Sequence, residues 1–250
     1  MSPQLKSGER IEDLQFKGLR IIQSESGFRF GTDSVLLAGF ANVGSKDRVA
    51  DLGSGTGVMA ILLGGRTGAR LTGIEIQAVQ CDMASRSAEL NGQKIDFINA
   101  DMRKAHELIG TGVFDAAICN PPYYPQNAGE VSRKGEGEFE GAATHELYCT
   151  LEEVSLAASR LIKYGGKLFI CCPAGRLSEM FCSLTANGLE PKRLRLVSSR
   201  ADKLPYLALI EAKKGASKGL RIETPLIVCD ADGNHTPEVR RIYHEEEERE

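Results

Sequence analysis

The chain has 250 residues, 42% of them hydrophobic and 26% charged, and its formal net charge is −3. This composition is typical of a globular domain, and the charge excludes a global basic field that would attract nucleic acid, although a local basic patch would suffice. No apolar run approaches the roughly 20 residues that span a membrane, and the N-terminus lacks the apolar core of a signal peptide. We therefore expect one cytoplasmic domain over residues 1–250, with no membrane partner.

The seven cysteines include no CxxC pair and show no zinc-type spacing. Most of them lie in apolar runs, so we expect them to be reduced and buried, and we expect no metal site. They are Cys81, Cys119, Cys149, Cys171, Cys172, Cys182 and Cys229.

The first predicted element is a loop that leads into a helix over residues 27–44. Short apolar runs typical of buried strands then alternate with stretches of helical spacing. The helical stretches each end at a glycine, as helices commonly do, and are 57–68, 77–92 and 145–166. The strand-like runs are 48–53, 70–76, 95–101, 114–120 and 167–173. This alternation predicts an α/β fold, with a doubly wound, mostly parallel sheet and helices on both faces.

The pattern changes after residue 174. A helix over 175–188 is followed by two strands, 190–199 and 204–215, with no helix between them. Strands joined by a short loop pair antiparallel, so we expect the sheet to end in an antiparallel C-terminal hairpin. The core sheet is then assigned to residues 46–214. The flanking segments, 1–45 and 215–250, look peripheral, and the acidic run at the end of the second is expected to be a solvated or disordered tail.

The stretch "DLGSGTG" (51–57) follows the first core strand and opens a helix. Its glycines, Gly53, Gly55 and Gly57, permit a tight turn and a close approach of a ligand to main-chain N–H groups. A dinucleotide site would hold a pyrophosphate here, but the Asp51 carboxylate at the same position repels phosphate and attracts an ammonium group.

Two further acids end the next two strands. Glu75 ends the run "GIEI", where a carboxylate can accept both hydroxyls of a ribose, and Asp101 follows in "NADM". Ribose, adenine and an amino-acid ammonium together match S-adenosylmethionine, and they match NAD less well. The alternative is a plain β–α turn in which the acids only cap helices.

The fourth strand ends in "NPPYY" (120–124). The Asn120 side chain and the Pro121 main chain each offer a carbonyl, and two acceptors held by rigid prolines can bind both hydrogens of a planar amino group. When such a nitrogen attacks a methyl sulfonium it gains positive charge, which the carbonyl dipoles stabilise. Tyr123 offers a flat face for stacking of an aromatic base. The motif therefore predicts a clamp for an exocyclic amine, with an incidental proline-rich turn as the alternative.

These motifs resemble those of class I S-adenosylmethionine-dependent methyltransferases with an Asn-Pro-Pro-Tyr motif. The chain resembles more closely the bacterial tRNA (adenine-N6) methyltransferases that modify a valine tRNA next to the anticodon. The narrower resemblance extends from about residue 10 to 244. It includes "GFRFGTDSVLLAGFA", "LPYLALIEAKKG" and "PLIVCDADGNHTPEVRRIY" besides the core motifs.

The resemblance implies a Rossmann-like methyltransferase sheet and a set of site residues. The N-terminal segment and its helix would cover the cofactor site. Residues implied for S-adenosylmethionine are Thr32, Asp33, Asp51, Gly53, Ser54, Gly55, Gly57, Glu75, Ile76, Asp101 and Met102. Residues implied for holding the target amine are Asn120, Pro121, Pro122 and Tyr123.

The resemblance implies that the substrate is RNA, and that this RNA is a tRNA. Arg133 and Lys134 follow the clamp and are the candidate phosphate contacts, with further basic residues over 192–203 and 213–221. The glycine-rich segment 124–144 is expected to be a mobile lid that orders over a flipped base. Three alternatives stay open: a protein glutamine-amide methyltransferase, an rRNA guanine amino-methyltransferase and a catalytically silent cofactor-binding subunit.

Overall fold

The computed structural model describes residues 5–26, 31–121 and 149–243. Its strands are β1 (Glu9–Asp13), β2 (Arg20–Ser24), β3 (Arg48–Leu52), β4 (Arg70–Glu75), β5 (Asp96–Asn99), β6 (Phe114–Cys119), β7 (Ile162–Pro173), β8 (Leu189–Ser198), β9 (Leu207–Lys214), β10 (Arg221–Ile222) and β11 (Leu226–Ile227). Its helices are α1 (Thr32–Phe40), α2 (Val58–Thr67), α3 (Ala78–Leu90), α4 (Ala105–Ile109), α5 (Leu151–Leu161), α6 (Leu177–Ala186) and α7 (Pro237–Tyr243).

The central sheet has the order β10-β8-β9-β7-β6-β3-β4-β5, and β11 also pairs with β8. Strands β3 to β7 pair with one another in parallel, whereas β9 is antiparallel to both β7 and β8. The mostly parallel sheet and the antiparallel hairpin are thereby confirmed. The hairpin does not end the sheet, however, because the short strands β10 and β11 lie beyond it.

Helices cover both faces of the sheet. Along β3, Val49 packs on one face with Leu36 of α1 and Ile61 of α2. Leu52 packs on the opposite face with Val154 of α5. Neighbouring side chains of a strand point to opposite faces, so a strand such as β3, in which four of the five residues are buried, requires helices on both sides.

The helical stretch predicted over 145–166 ends earlier than expected. Thr150 starts α5 with a capping box, in which its Oγ1 accepts from the Glu153 N–H and the Glu153 carboxylate accepts from the Thr150 N–H. The helix stops at Leu161, and residues 162–166 already belong to β7. Gly166 does not end a helix but lies where the pairing of β7 with β6 is irregular. A Cβ on Gly166 would lie 2.7 Å from the Asp115 carbonyl oxygen, which is too close for any residue other than glycine.

The N-terminal segment is not peripheral, contrary to the expectation. β1 and β2 form an antiparallel hairpin, and Ile21 and Phe16 are buried in the same core cluster as α1 and α2. The Ile22 N–H donates to the Ser87 hydroxyl of α3 over 2.9 Å. The Arg86 guanidinium, also on α3, donates to both carboxylate oxygens of Glu9 over 2.7 and 2.5 Å.

The C-terminal segment also packs into the fold. Val239 of α7 is fully buried, and Arg66 of α2 donates to the Ile242 carbonyl. The same Arg66 guanidinium lies 4.4 Å above the ring of Phe16, so one side chain links α7, α2 and the N-terminal hairpin. The acidic run over 244–250 lies outside the described residues.

Five of the cysteines are buried, as predicted, whereas Cys182 is exposed and Cys229 is half-buried. Within the described ranges, no helix has the length and apolarity to cross a membrane. No group of three or more potential metal ligands occurs among those residues either.

The ion pairs of Arg86 give a test of the N-terminal hairpin. Arg86→Ala should lower the free energy of unfolding at pH 7 by roughly 1–3 kcal/mol, because the nearly buried Glu9 carboxylate loses its cation. The hydrogen bond from Arg86 lowers the pKa of Glu9. The stabilisation is therefore fully present at a pH above the ordinary glutamate pKa, and it is lost as the pH falls through the lowered pKa of Glu9. Urea unfolding should therefore show a smaller difference at pH 3 than at pH 7.

Arg221→Ala is the matched control for that measurement. Arg221 is exposed and pairs with Glu223, so its removal should change the free energy of unfolding by less than about 1 kcal/mol. Equal losses in the two variants would contradict the role assigned to Arg86.

Candidate functional site

The glycine-rich turn after β3 lies at the carboxyl edge of the sheet, close to the end of β4. The N–H groups of Gly53 and Ser54 donate to the Ile74 carbonyl over 2.9 and 3.1 Å. Gly57 has a φ of +89°. A Cβ at Gly57 would also lie 2.8 Å from Cζ of Phe97. Left-handed backbone and lack of space both require glycine there, so this turn is a packed structural unit.

Asp51, next to the last residue of β3, is fully buried. Its Oδ2 accepts from the Ala60 N–H in the first turns of α2 over 3.1 Å. Its Oδ1 is buried and has no hydrogen-bond partner among the described residues. Burial raises the pKa of Asp51 to about 7. The hydrogen bond from Ala60 opposes this rise in pKa, and the nearby Glu75 carboxylate adds to it. A buried acceptor without a donor is suited to a cationic or hydrogen-bonding ligand.

Glu75, at the end of β4, joins the glycine turn to the start of α3. Its Oε2 accepts from the Gly55 N–H and its Oε1 accepts from the Gln77 N–H, each over 2.8 Å. The side chain is almost fully buried, and burial raises its pKa while these hydrogen bonds oppose the rise. Each carboxylate oxygen keeps a second lone pair, so further donors such as hydroxyl groups can bind. The following residue, Ile76, is exposed.

Asp101 and Met102, after β5, lie beside the same turn. A Cβ placed on Gly53 would be 3.2 Å from Cε of Met102. Both carboxylate oxygens of Asp101 accept from Arg103, with distances of 2.7 to 2.9 Å, and this contact lowers the pKa of Asp101. Arg103 also donates to Glu153 over 3.2 Å and so connects the site to α5. Sequence reasoning did not identify Arg103.

Asn120 directly follows β6 and is held by two side chains. Its Nδ2 donates to the Ser34 hydroxyl over 3.0 Å. Its Oδ1 accepts from the thiol of the buried Cys171 over 3.2 Å. Ser34 belongs to the first turn of α1, beside the predicted residues Thr32 and Asp33. Burial raises the pKa of Asp33, whereas Thr32 is exposed.

The strand register brings these groups to one edge of the sheet. Leu52 pairs with Ile74, Glu75 with Asn99 and Asp51 with Ile118, so the four parallel strands β3, β4, β5 and β6 end at similar heights. Pro121 is buried next to Asn120. Pro122, Tyr123, Arg133 and Lys134 lie outside the described residues, as does the segment 124–144.

Ser34 and Cys171 are contacts of the site that sequence reasoning missed. Ser34 stands within the quoted segment "GTDSVLL", but only Thr32 and Asp33 were assigned from it. Cys171 was interpreted as one of the buried cysteines. Their contacts with Asn120 span 86 and 51 residues, and no local pattern predicts contacts at such separations.

Two of the basic residues grouped over 192–203 are engaged within the protein. The Arg193 guanidinium lies 3.9 Å above the ring of Phe40 and donates to the Phe40 carbonyl over 2.6 Å. Arg195 pairs with Glu238 over 2.8 Å. These contacts favour a structural role for both arginines over binding of phosphate.

The comparisons with known proteins agree with this geometry. The methyltransferase small domain family matches residues 13–145, which include the glycine turn and Asn120. A protein of Porphyromonas gingivalis named tRNA1(Val) (adenine(37)-N6)-methyltransferase is 30% identical over 91% of both chains. A protein of the same name from Shewanella amazonensis is 36% identical over 80% of this chain and 84% of its own.

Solved structures share the fold. A "predicted O-methyltransferase" from Agrobacterium tumefaciens superposes with a TM-score of 0.68 at 23% identity, over 84% of this chain and 95% of its own. A 16S rRNA N2 methyltransferase of T. thermophilus in complex with AdoMet and guanosine gives a TM-score of 0.57 at 20% identity, over 85% of this chain and 52% of its own. The chain therefore belongs to the methyltransferase small domain family, alongside the bacterial proteins named tRNA1(Val) (adenine(37)-N6)-methyltransferase.

Proposed function

We propose that this chain transfers a methyl group from S-adenosylmethionine to the exocyclic N6 amine of an adenine in RNA, with tRNA as the substrate. One observation carries the proposal most directly. The amide of Asn120 is fixed at the same edge of the sheet as the buried acids Asp51 and Glu75. An acceptor for an amine thus lies near acceptors suited to the ammonium and ribose of the cofactor.

The residues at the glycine turn fit S-adenosylmethionine, which when bound supplies an electrophilic methyl group. Asp51 Oδ1 and Ser54 Oγ are both buried and, within the described part of the chain, have no hydrogen-bond partner. Asp51 would hold the methionine ammonium, and Glu75 would accept from the ribose hydroxyls. Asp101 and Met102 would contact the adenine. The first turn of α1, with Thr32 and Asp33, would approach the carboxyl end of the cofactor.

Asn120 would act on the target amine through its side-chain carbonyl. In this arrangement the Asn120 NH₂ group donates to the Ser34 hydroxyl, and the carbonyl end of the amide is the acceptor. The carbonyl oxygen accepts from the Cys171 thiol over 3.2 Å, and an amide carbonyl is the kind of acceptor that an amine N–H requires. As that nitrogen is methylated it gains positive charge, and the preoriented carbonyl dipole stabilises the transition state.

The names of the relatives support adenine in tRNA over the alternatives of a protein glutamine amide, an rRNA guanine or a silent subunit. Incubation with labelled S-adenosylmethionine and either total tRNA or release-factor protein separates these possibilities. We expect label in tRNA, recovered as N6-methyladenosine after digestion. Label in protein, or in a methylated guanosine, would refute the proposal.

Cofactor affinity should depend on the protonation of Asp51. Its pKa in the free protein is about 7, and an ammonium group binds only the charged carboxylate. Binding of S-adenosylhomocysteine should therefore weaken about fivefold between pH 7 and pH 6, because a proton must first leave Asp51. Isothermal titration calorimetry at the two pH values measures this change. Asp51→Asn should bind about tenfold more weakly at pH 7 and should lose this pH dependence.

The same substitution should stabilise the protein without cofactor. Burial gives the Asp51 carboxyl group a higher pKa in the folded protein than in the unfolded chain. The free energy of unfolding therefore falls as the pH rises from the pKa of the unfolded chain to that of the folded protein. Asp51→Asn should thus have the higher melting temperature at pH 8, by several degrees at roughly 2–4 °C per kcal/mol. A variant with weakened binding and a lower melting temperature would indicate a damaged fold instead.

Ser34 and Asn120 should act as a unit on the chemical step. Asn120→Ala removes a preoriented dipole and should lower the single-turnover rate by roughly 10²–10³-fold with little change in cofactor affinity. Ser34→Ala should lower the same rate by a smaller factor, about tenfold, because the amide loses its fixed orientation. In the Asn120→Ala background, Ser34→Ala should have no further effect. Multiplicative losses in the double variant would show that Ser34 does not act through Asn120.

A further inference from the structure

A second surface lies beside Asn120, on the loop over residues 199–206 that joins β8 to β9. β9 runs antiparallel to β7, so its first residue, Leu207, pairs with Pro173 at the end of β7. The Ala174 N–H donates to the Tyr206 carbonyl over 3.0 Å. Because β7 and β6 are parallel, this places the loop at the same edge of the sheet as Asn120.

Tyr206 directly precedes Leu207, which is buried in the same core cluster as residues of α1. Burial of part of the ring raises the pKa of its phenol to about 12, and the nearby Asp33 carboxylate and the Cys171 thiol contribute to that rise. Cys171 is the residue that donates to Asn120, and Asp33 is next to Ser34. Tyr206 therefore neighbours the groups that surround Asn120.

The loop presents large apolar side chains to solvent. Leu204 is 89% exposed and Tyr206 is 42% exposed. The backbone is nevertheless held firmly, since the Tyr206 N–H donates to the Val197 carbonyl over 2.9 Å and the Lys203 N–H to the Arg200 carbonyl over 3.1 Å. The fold thus presents a partly exposed aromatic ring on a loop whose backbone is held by hydrogen bonds.

The composition of the loop fits single-stranded RNA. Arg200 and Lys203 are exposed cations in the same eight residues, and the one carboxylate of the loop, Asp202, lies 3.6 Å from Lys203. Aromatic rings that stack with bases, together with cations for the phosphates, are the usual means of holding single-stranded nucleic acid. An adenine whose amine must reach Asn120 has to leave its stack, which leaves the neighbouring base without a stacking partner.

We propose that Tyr206 stacks on the base next to the target adenine, and that the cations of the 199–206 loop hold the adjoining RNA backbone. This inference rests on the proposed function, and it adds a second contact region outside the NPPYY motif. The partner of this loop is the unpaired RNA that flanks the target adenine.

The test compares Tyr206→Ala with Tyr206→Phe and with a matched control, Tyr164→Ala. Tyr164 is 79% exposed and lies near the start of β7, at the opposite edge of the sheet. Tyr206→Ala should raise the KM for tRNA roughly 5- to 100-fold, the range of one lost stacking contact, with little change in the rate at saturating tRNA. Tyr206→Phe and Tyr164→Ala should both behave like the wild-type protein. Cofactor affinity should be unchanged in all three variants. Tyr206→Ala loses the buried part of its ring, so it alone should lower the melting temperature, by roughly a few degrees.

A fluorescent base reports the contact directly. Anticodon stem-loop RNA with 2-aminopurine beside the target adenine should lose fluorescence on binding the wild-type protein and Tyr206→Phe, but much less on binding Tyr206→Ala. If Tyr206→Ala matches Tyr164→Ala in both measurements, the inference is wrong. Equal defects in Tyr206→Ala and Tyr206→Phe would also refute stacking, because only the hydroxyl would matter. If the wild-type protein methylates no RNA, the proposed function itself fails, and this inference fails with it.

Discussion

The site depends on the buried carboxylate of Glu75, which accepts main-chain N–H groups from two different turns. One turn follows β3 at Gly55 and the other opens α3 at Gln77. A charged group can be held away from water only when such donors satisfy it, so the two turns and the acid stabilise one another. The neighbouring Asp51 has one such donor, from Ala60, and keeps one oxygen without any among the described residues. Glu75 thus has a structural role in addition to any contact with a ligand, whereas the second oxygen of Asp51 is available to a ligand alone.

The N-terminal part of the chain becomes part of the site through hydrogen bonds, one of them from Gln23 of β2 to Thr56 of the glycine turn. Ser34 of α1 accepts from Asn120, while α1 and the β1–β2 hairpin share one core cluster with α2. Arg66 extends this connection to α7. The two ends of the sequence therefore fix the helix that orients the Asn120 amide. This explains why segments that look peripheral in sequence are buried in the structure.

Much of the fold was predictable because its signals are local. The strands β3 to β7 are short apolar runs, and the acids at their ends mark one edge of the sheet. The end of α5 was predicted wrongly because Gly165 and Gly166 resemble a helix terminus, whereas they belong to an irregular part of β7 that depends on pairing with β6. The β1–β2 hairpin was missed because its burial comes from contacts with α3, such as that of Ile22 with Ser87. The partners of Asn120 were missed for the same reason, since both lie far away in sequence.

The arrangement of charges suggests that the free protein is less stable than its sequence would allow. Burial raises the pKa of Asp51, Glu75 and Asp33, all at or near the same edge of the sheet, which means that each ionised carboxylate opposes folding at neutral pH. A protein selected for stability alone would replace Asp51 by an uncharged residue of the same shape. A bound cation with hydroxyl groups would supply the missing donors and remove this cost. The free energy that the buried acids cost in the free protein is therefore regained when the ligand binds. The rigid glycine turn around the acids keeps them buried.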